Sequence, residues 1–211
     1  MCGIFGSNNI ETFRKLYTVN TDRGNFVRSI TKVSTGDNKK KQITVTRDTN
    51  INIDLEAEDY CIYYLGHLQS PTTSIREFDE STSHPFIYNK QYLAHNGVLS
   101  NDRELITEYN LQGTNNVDSS IFLPLIDAIG FETALSKIKG TFGCWYYDSV
   151  NAALRIFRSG STLFLKNGSF SSAPFEDYTL VRDGDILEYN FTNQYFVHYN
   201  KFEVGETPFF V

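Results

Sequence analysis

Position 2 of the chain is a cysteine, in Met1-Cys2-Gly3-Ile4-Phe5-Gly6, where removal of one methionine would make it the N-terminal residue. Such a residue carries a thiol nucleophile and a free α-amine on one carbon skeleton. An unperturbed α-amine titrates at about 7.7–8.0 and a thiol near about 8.5, so both exchange protons near neutral pH. A thiol with a base built in is an activated nucleophile. Cysteine is also small enough for methionine excision. The same segment reads equally as an ordinary buried β-strand, since buried cysteines are common. The rest of the chain has to separate the two.

The other reactive side chains are spaced less suggestively. Cys61 and Cys144 sit in apolar runs, Tyr60-Cys61-Ile62-Tyr63-Tyr64 and Gly143-Cys144-Trp145-Tyr146, and read as structural core thiols. Three cysteines without close spacing argue against a disulfide framework and against a zinc site. His67, His84, His95 and His198 show no paired ligand spacing, so neither metal nor cofactor is expected. Asn96-Gly97, taken alone, is the commonest signal of a type I′ hairpin turn.

Composition narrows the class of protein. With 211 residues, 40% hydrophobic and 21% charged, the chain is expected to form one domain over 1–211 with a real core. The 17 Phe and 13 Tyr suit strands more than helices. A formal charge of −6 argues against a nucleic-acid binder, whose footprint is basic. Lys39-Lys40-Lys41 reads as a solvated hairpin tip. No apolar stretch reaches transmembrane length and no signal-peptide layout opens the chain, so no membrane partner and a cytoplasmic location are expected.

Periodicity then supplies the elements that must position these groups. Residues 1–7 read as a strand, and Ile10, Phe13, Leu16 and Tyr17 give 9–22 helical spacing that Arg23-Gly24 ends. Residues 26–34, 42–47 and 60–68 read as strands. The polar stretch Ser70 to Ser83 is too long for a simple hairpin, and loops of that length are often functional. Strand-like Tyr92-Leu93-Ala94 leads into a turn signal at His95-Asn96-Gly97. Asn101 with Glu104 predicts a capping box, about Asp118 to Ala128 a helix that Pro124 fits only if it lies within the first turn or so, and Phe131, Leu135 and Ile138 another. From Thr141 onward short strands dominate. Strands, then consecutive helices, then strands give an α+β domain with largely antiparallel sheets.

Taken together, the segments resemble a known family. Cys2-Gly3-Ile4-Phe5-Gly6 looks like the opening of class II glutamine amidotransferase domains of the amidophosphoribosyltransferase type, which are N-terminal nucleophile hydrolases. Arg23-Gly24, Gly66-His67-Leu68-Gln69-Ser70-Pro71-Thr72, Leu93-Ala94-His95-Asn96-Gly97-Val98-Leu99-Ser100-Asn101, Asp118-Ser119-Ser120 and Gly140-Thr141-Phe142-Gly143 are similar to its later motifs, in the same order. Ser171-Ser172-Ala173-Pro174 and Arg182-Asp183-Gly184-Asp185-Ile186 resemble its closing strands. The resemblance implies a four-layer αββα sandwich of two mainly antiparallel sheets between helix layers.

It also implies a chemistry. Cys2 attacks the side-chain amide of glutamine, and its own α-amine manages the proton directly or through one water. The Asn96 side-chain amide and the Gly97 backbone N–H would stabilise the oxyanion, each such donor being worth about 3–4 kcal/mol of barrier. Asp118 matches the acid that grips the substrate's α-ammonium, although a helix N-terminal aspartate is also favoured by capping and the dipole. His67, like His95, reads as packing or orienting its loop, and Thr72 falls in the substrate loop. Little sequence follows the closing strands, so the expected acceptor of ammonia is a synthetase or transferase partner in trans. The tail Thr207-Pro208-Phe209-Phe210-Val211 fits either a docking element or a last packed strand.

One position departs from the pattern. Gln69 stands where these domains carry an arginine that forks onto the substrate α-carboxylate, and a neutral amide replaces such a pair poorly. Ser70 replaces the following aromatic, and Phe26 stands where an aspartate follows Arg-Gly. Three readings follow. Arg76 in the same loop takes over the carboxylate, the substrate is a γ-glutamyl amide or another amide, or the chain is a weakly active or inactive binding or regulatory module. A rescued or loosened glutamine site ranks first because Asp118 keeps the ammonium half. A β-rich protein with a chance Cys-Gly is the remaining alternative.

Overall fold

The computed structural model describes residues 2–36, 40–49, 58, 60–70 and 80–205. The first strand, β1 (Gly3–Ser7), is buried along its length and sends successive side chains to opposite faces. Ile4 joins Leu65, Trp145, Tyr147 and Phe170 in an inter-sheet core, whereas Phe5 joins Phe13, Leu16 and Leu68 under a helix. That helix, α1 (Ile10–Asn20), begins at Asn9, whose Oδ1 accepts from the Thr12 N–H at 2.9 Å. A 3-10 turn, Thr21–Arg23, follows.

The chain continues through β2 (Val27–Thr35), β3 (Lys41–Asp48), β4 (Cys61–Gln69), β5 (Phe86–Tyr88) and β6 (Gln91–Leu99). Three helices come next: α2 (Asp102–Tyr109), α3 (Phe122–Ile129) and α4 (Phe131–Lys137). The remaining strands are β7 (Gly140–Asp148), β8 (Ala153–Ser159), β9 (Phe164–Lys166), β10 (Ser169–Ser171), β11 (Thr179–Leu180), β12 (Asp185–Asn190) and β13 (Tyr195–Lys201). They form a seven-stranded sheet in the order β11-β9-β10-β1-β4-β2-β3 and a six-stranded sheet in the order β13-β12-β8-β7-β6-β5. Pairings between these strands are antiparallel.

Three cores set the layers. α1 covers one face of the seven-stranded sheet, and the aromatic and aliphatic inter-sheet core lies on its other face. Ile121, Phe122, Leu125 and Leu135 pack with Leu93, Phe142 and Phe157 to put the other helices outside the six-stranded sheet. The order is helix, sheet, sheet, helix, the expected α+β sandwich. A hydrogen bond spans the sheets: Trp145 Nε1 donates to the Gly66 carbonyl at 3.2 Å. Among the described residues no helix is long and apolar enough to cross a membrane.

Four local expectations are corrected. His95-Asn96-Gly97 is not a turn, because β6 runs straight through it, in unbroken register with β7 from Gln91↔Asp148 to Leu99↔Gly140. Asn101 precedes α2 without a side-chain cap; its Nδ2 donates to the Lys137 carbonyl at 3.0 Å and its Oδ1 accepts from the Lys139 N–H at 2.9 Å. The helix expected from Asp118 is divided into a 3-10 turn, Asp118–Ile121, and α3, with Pro124 in the first turn of α3. Lys41 is not a solvated tip residue: its Nζ stacks 3.3 Å from the Phe191 ring centroid, and burial lowers its pKa. Cys144 is buried as expected, whereas Cys61 is half-buried, its thiol pKa raised by burial. The tail from Thr207 lies outside the described residues.

Candidate active site

Cys2 lies immediately before β1, half-buried, and its Sγ donates a long 3.7 Å hydrogen bond to the Ser70 carbonyl. The backbone around it is clamped from two sides. Ile4 N donates to Ser172 Oγ at 3.0 Å and Ile4 O accepts from Ser172 N at 2.8 Å. Arg23 Nε donates to the Cys2 carbonyl at 3.1 Å. Burial lowers the Arg23 pKa, and the adjacent Cys2 opposes that shift by favouring the cation. Behind the strand, Asn20 is wholly buried and donates to Leu16 O and Ser171 Oγ, each at 2.8 Å. Gly3 has to be small here, since a Cβ would lie 2.9 Å from Asn20 Oδ1.

β4 brings the second group of residues alongside. The register Gly3↔Leu68, Ile4↔His67 places His67 on the inter-sheet face with Ile4, and Gln69 follows on that face at the strand end. Gln69 is 2% exposed. Its Nε2 donates to the Thr82 carbonyl at 3.3 Å, which fixes the amide orientation because a carbonyl only accepts. Its Oε1 is buried with no hydrogen-bond partner among the described residues. Gly24 abuts this strand end so closely that a Cβ would lie 2.6 Å from Leu68 O. His67 stacks on His84 at 4.1 Å between centroids. Burial, reinforced by the His95 imidazole, pushes the His67 pKa down to about 3.

β6 supplies the facing wall. Ala94 belongs to the inter-sheet core and Leu93 to the helix side, so alternation turns Asn96 toward Cys2's sheet and His95 toward α3. Asn96 is 1% exposed, and both its Nδ2 and its Oδ1 are buried without a hydrogen-bond partner among the described residues. Gly97 has φ +148°, and an added Cβ would fall 1.9 Å from the Thr141 carbonyl oxygen. Only glycine accommodates both the dihedral and the close approach.

Asp118 opens the 3-10 turn beside the end of β6. Its Oδ2 accepts from the Leu99 N–H at 2.8 Å and its Oδ1 from the Ser119 N–H at 2.7 Å. Ser119 Oγ lies 3.1 Å from the same Oδ1 and 2.7 Å from His95 Nδ1. Burial lowers the pKa of His95, against the pull of Asp118 and of the Thr141 carbonyl.

Cys2 at the head of β1 and His67 and Gln69 on β4 thus lie on paired strands of one sheet, Asn96 and Gly97 within β6 of the facing sheet, and Asp118 in the turn beside the end of β6. Thr72 and Arg76 lie outside the described residues. Sequence reasoning missed the contacts of Arg23, Ser172, His84 and Ser119. Asn20 had a signal, a polar residue on the buried face with Phe13 and Leu16. Among the described residues no group of three or more His, Cys, Asp or Glu side chains is arranged to hold a metal ion.

A cysteine at the head of a central strand, between two facing antiparallel sheets flanked by helices, is the architecture of the N-terminal nucleophile hydrolases. Residues 73–168 match the glutamine amidotransferase domain family. The fold resembles that of glutamine phosphoribosylpyrophosphate amidotransferase from B. subtilis, at a TM-score of 0.69 and 17% identity, over 94% of this chain and 49% of that one. A structure described as the allosteric regulatory enzyme of purine biosynthesis matches with the same TM-score of 0.69 and coverage. The family match over residues 73–168 and the shared fold agree with the class II glutamine amidotransferase resemblance carried by the sequence motifs.

Curated relatives are synthases. The 7-cyano-7-deazaguanine synthase of Saccharolobus solfataricus is 31% identical over 101 residues, 44% of this chain and 22% of that protein. The 7-cyano-7-deazaguanine synthase 2 of Sulfurisphaera tokodaii is 32% identical over 79 residues, 34% of this chain and 17% of that protein. The chain spans about a fifth of the length of the curated relatives it matches.

Proposed function

We propose that this chain, once Met1 is removed, hydrolyses the side-chain amide of glutamine or a related γ-glutamyl amide and passes the ammonia to an enzyme bound in trans. The observation that carries the reading is Asn96, a buried amide with neither polar atom hydrogen-bonded among the described residues, on the sheet face opposite the one holding Cys2. Leaving such a group unpaired costs about 1–3 kcal/mol, and an oxyanion forming in the cleft would satisfy its Nδ2.

The steps follow from the groups. The α-amine of Cys2 takes the thiol proton, directly or through water, as Sγ bonds to the amide carbon. Asn96 Nδ2 and Gly97 N–H receive the developing oxyanion. The same proton passes to the departing nitrogen, the C–N bond breaks and ammonia leaves. Water then cleaves the thioester, releasing the acid and restoring the thiol. Asp118 holds the α-ammonium, with Gln69 and His67 around the remainder of the substrate; Thr72 and Arg76 are substrate-binding candidates on sequence grounds alone. A cytoplasmic setting would keep the thiol reduced.

The relatives' name suggests an acceptor class. A nitrile carries a nitrogen that its synthase must obtain from a donor, and a nitrogen-inserting synthase of that kind is the proposed partner. Gln69 supports a second reading, a binding or regulatory module, because a neutral buried amide cannot pair a carboxylate as arginine does.

Glutamate release from L-glutamine by protein whose mass lacks Met1, set against Cys2→Ala, separates the two. Turnover that disappears in Cys2→Ala supports the hydrolase. Retention of Met1 in the native host, or absence of Cys2-dependent turnover of glutamine and γ-glutamyl amides with and without a partner synthase, would leave the module.

A further inference from the structure

The hydroxyl of Ser119 stands between two acceptors and owns one proton. It is 2.7 Å from His95 Nδ1 and 3.1 Å from Asp118 Oδ1. His95 is 2% exposed, so it is held neutral by the cost of burying an imidazolium. Its Nε2 lies 3.4 Å from the Thr141 carbonyl, which can only accept, so the neutral ring carries its proton on Nε2. Nδ1 is then a lone pair, and the Ser119 proton turns to it. Asp118 is left with two backbone donors, Leu99 N–H and Ser119 N–H, out of the roughly four acceptor sites that a carboxylate offers.

Protonating His95 reverses the hydroxyl. Nδ1 becomes a donor, Ser119 Oγ accepts from it, and the hydroxyl proton swings to Asp118 Oδ1. The carboxylate gains a third donor and loses acceptor capacity. We propose that His95 is a positioning residue which, through the Ser119 hydroxyl, sets how open Asp118 is to the ammonium group of a ligand. The inference rests on the reading of Asp118 as the ammonium holder. The groups facing His95 are Asp118 across Ser119, the His84 ring at 6.3 Å, His67 on β4, and Cys144, its strand partner on β7.

The test uses calorimetric binding of L-glutamine to the Cys2→Ala protein, where turnover cannot interfere. In that background His95→Phe removes the lone pair, so the Ser119 proton stays on Asp118, and Kd rises roughly five- to tenfold, the worth of about one hydrogen bond. Adding Ser119→Ala to His95→Phe removes that proton and brings Kd back toward the starting value. A double variant as weak as His95→Phe alone overturns the proposal, since a purely structural role for His95 predicts no rescue. Should His95→Phe not fold, the pH profile decides. Kd in the Cys2→Ala protein rises as pH falls through the His95 titration, and with Ser119→Ala added that rise is lost. An unchanged rise overturns the proposal.

Asp118→Asn keeps the two readings apart. A Kd for glutamine unaffected by Asp118→Asn removes Asp118 as the ammonium holder whatever His95 does. Nitrogen NMR of the His95 ring then tests the proton arrangement without ligand: a neutral Nε2–H tautomer near pH 7 supports it, and a Nδ1–H tautomer overturns it.

Discussion

Arg23 Nε donates to the Cys2 carbonyl oxygen at 3.1 Å, so the turn that ends α1 holds the head of β1. The contact fixes the backbone of the proposed nucleophile rather than its sulfur. Displacing a reacting group by about 1 Å costs roughly 10²-fold in rate. Arg23→Met, which keeps the aliphatic stem, is expected to lower kcat about that much while leaving the melting temperature within a few degrees. Steady-state kinetics beside a thermal melt checks both.

Asn96 sets activity against stability. Its amide has no hydrogen-bond partner among the described residues, so truncation deletes an orphaned polar group and opens a small cavity, two effects that oppose each other. Asn96→Ala is expected to shift unfolding free energy by less than about 1 kcal/mol while lowering kcat by about 10²–10³-fold. A denaturation curve and a glutaminase assay on the same preparation test the split. Equal losses in both would make Asn96 a structural residue.

Gly97→Ala should fail in both respects. The new methyl carbon would fall 1.9 Å from Thr141 O at φ +148°, so β6 must part from β7 at the proposed oxyanion donor. Strained backbone of this kind costs about 1–3 kcal/mol before the clash is counted. Loss of amide exchange protection confined to the Gly97–Phe142 region is the expected signature.

Stability should fall with acid in a window set by His67. Its pKa is about 3 in the folded chain against 6.5 in an unperturbed imidazole. Between those values the unfolded chain binds a proton that the native chain does not, so stability is full above about 6.5 and declines as pH drops toward about 3. Each pH unit inside the window removes about 1.4 kcal/mol per such group. His95, also lowered by burial, acts in the same direction. His67→Phe is expected to flatten the decline in melting temperature from about pH 6 to about pH 4.

Gln69→Arg tests the altered carboxylate end. Placing a guanidinium where a 2% exposed amide now stands should destabilise the ligand-free protein and tighten free glutamine by about tenfold or more. Glutaminamide, which lacks the carboxylate, should gain nothing. An equal gain for both would exclude carboxylate pairing as the cause.

Much of the architecture was legible because it is written in local patterns. The strand read over 1–7, the helical spacing of Phe13 and Leu16, and the apolar strand read over 60–68 became β1, α1 and β4. The order of Cys2, Arg23-Gly24, His67, Asn96-Gly97 and Asp118 also pointed to the glutamine amidotransferase family that residues 73–168 match. Where a residue had a choice of hydrogen-bond partners, sequence alone misled. Asn96-Gly97 has the composition of a tight turn, but nine residues of β7 hold β6 straight through it. Asn101 has the composition of a cap, but its amide is taken by Lys137 and Lys139.

What the sequence determined by itself is the set of chemical groups and the elements that carry them: a cysteine at position 2, an amide and a glycine in a row, an acid before a helix. Only the tertiary structure decided which groups meet. Arg23 reaching the Cys2 carbonyl, the Gln69 oxygen left unpaired and Ser119 poised between His95 and Asp118 depend on chain segments tens of residues apart. The physical reason is that periodicity reports which face of an element is buried, whereas a hydrogen bond depends on a donor and an acceptor arriving within about 3 Å of each other. That coincidence is created by packing separate segments of the chain together and is absent from any one of them alone.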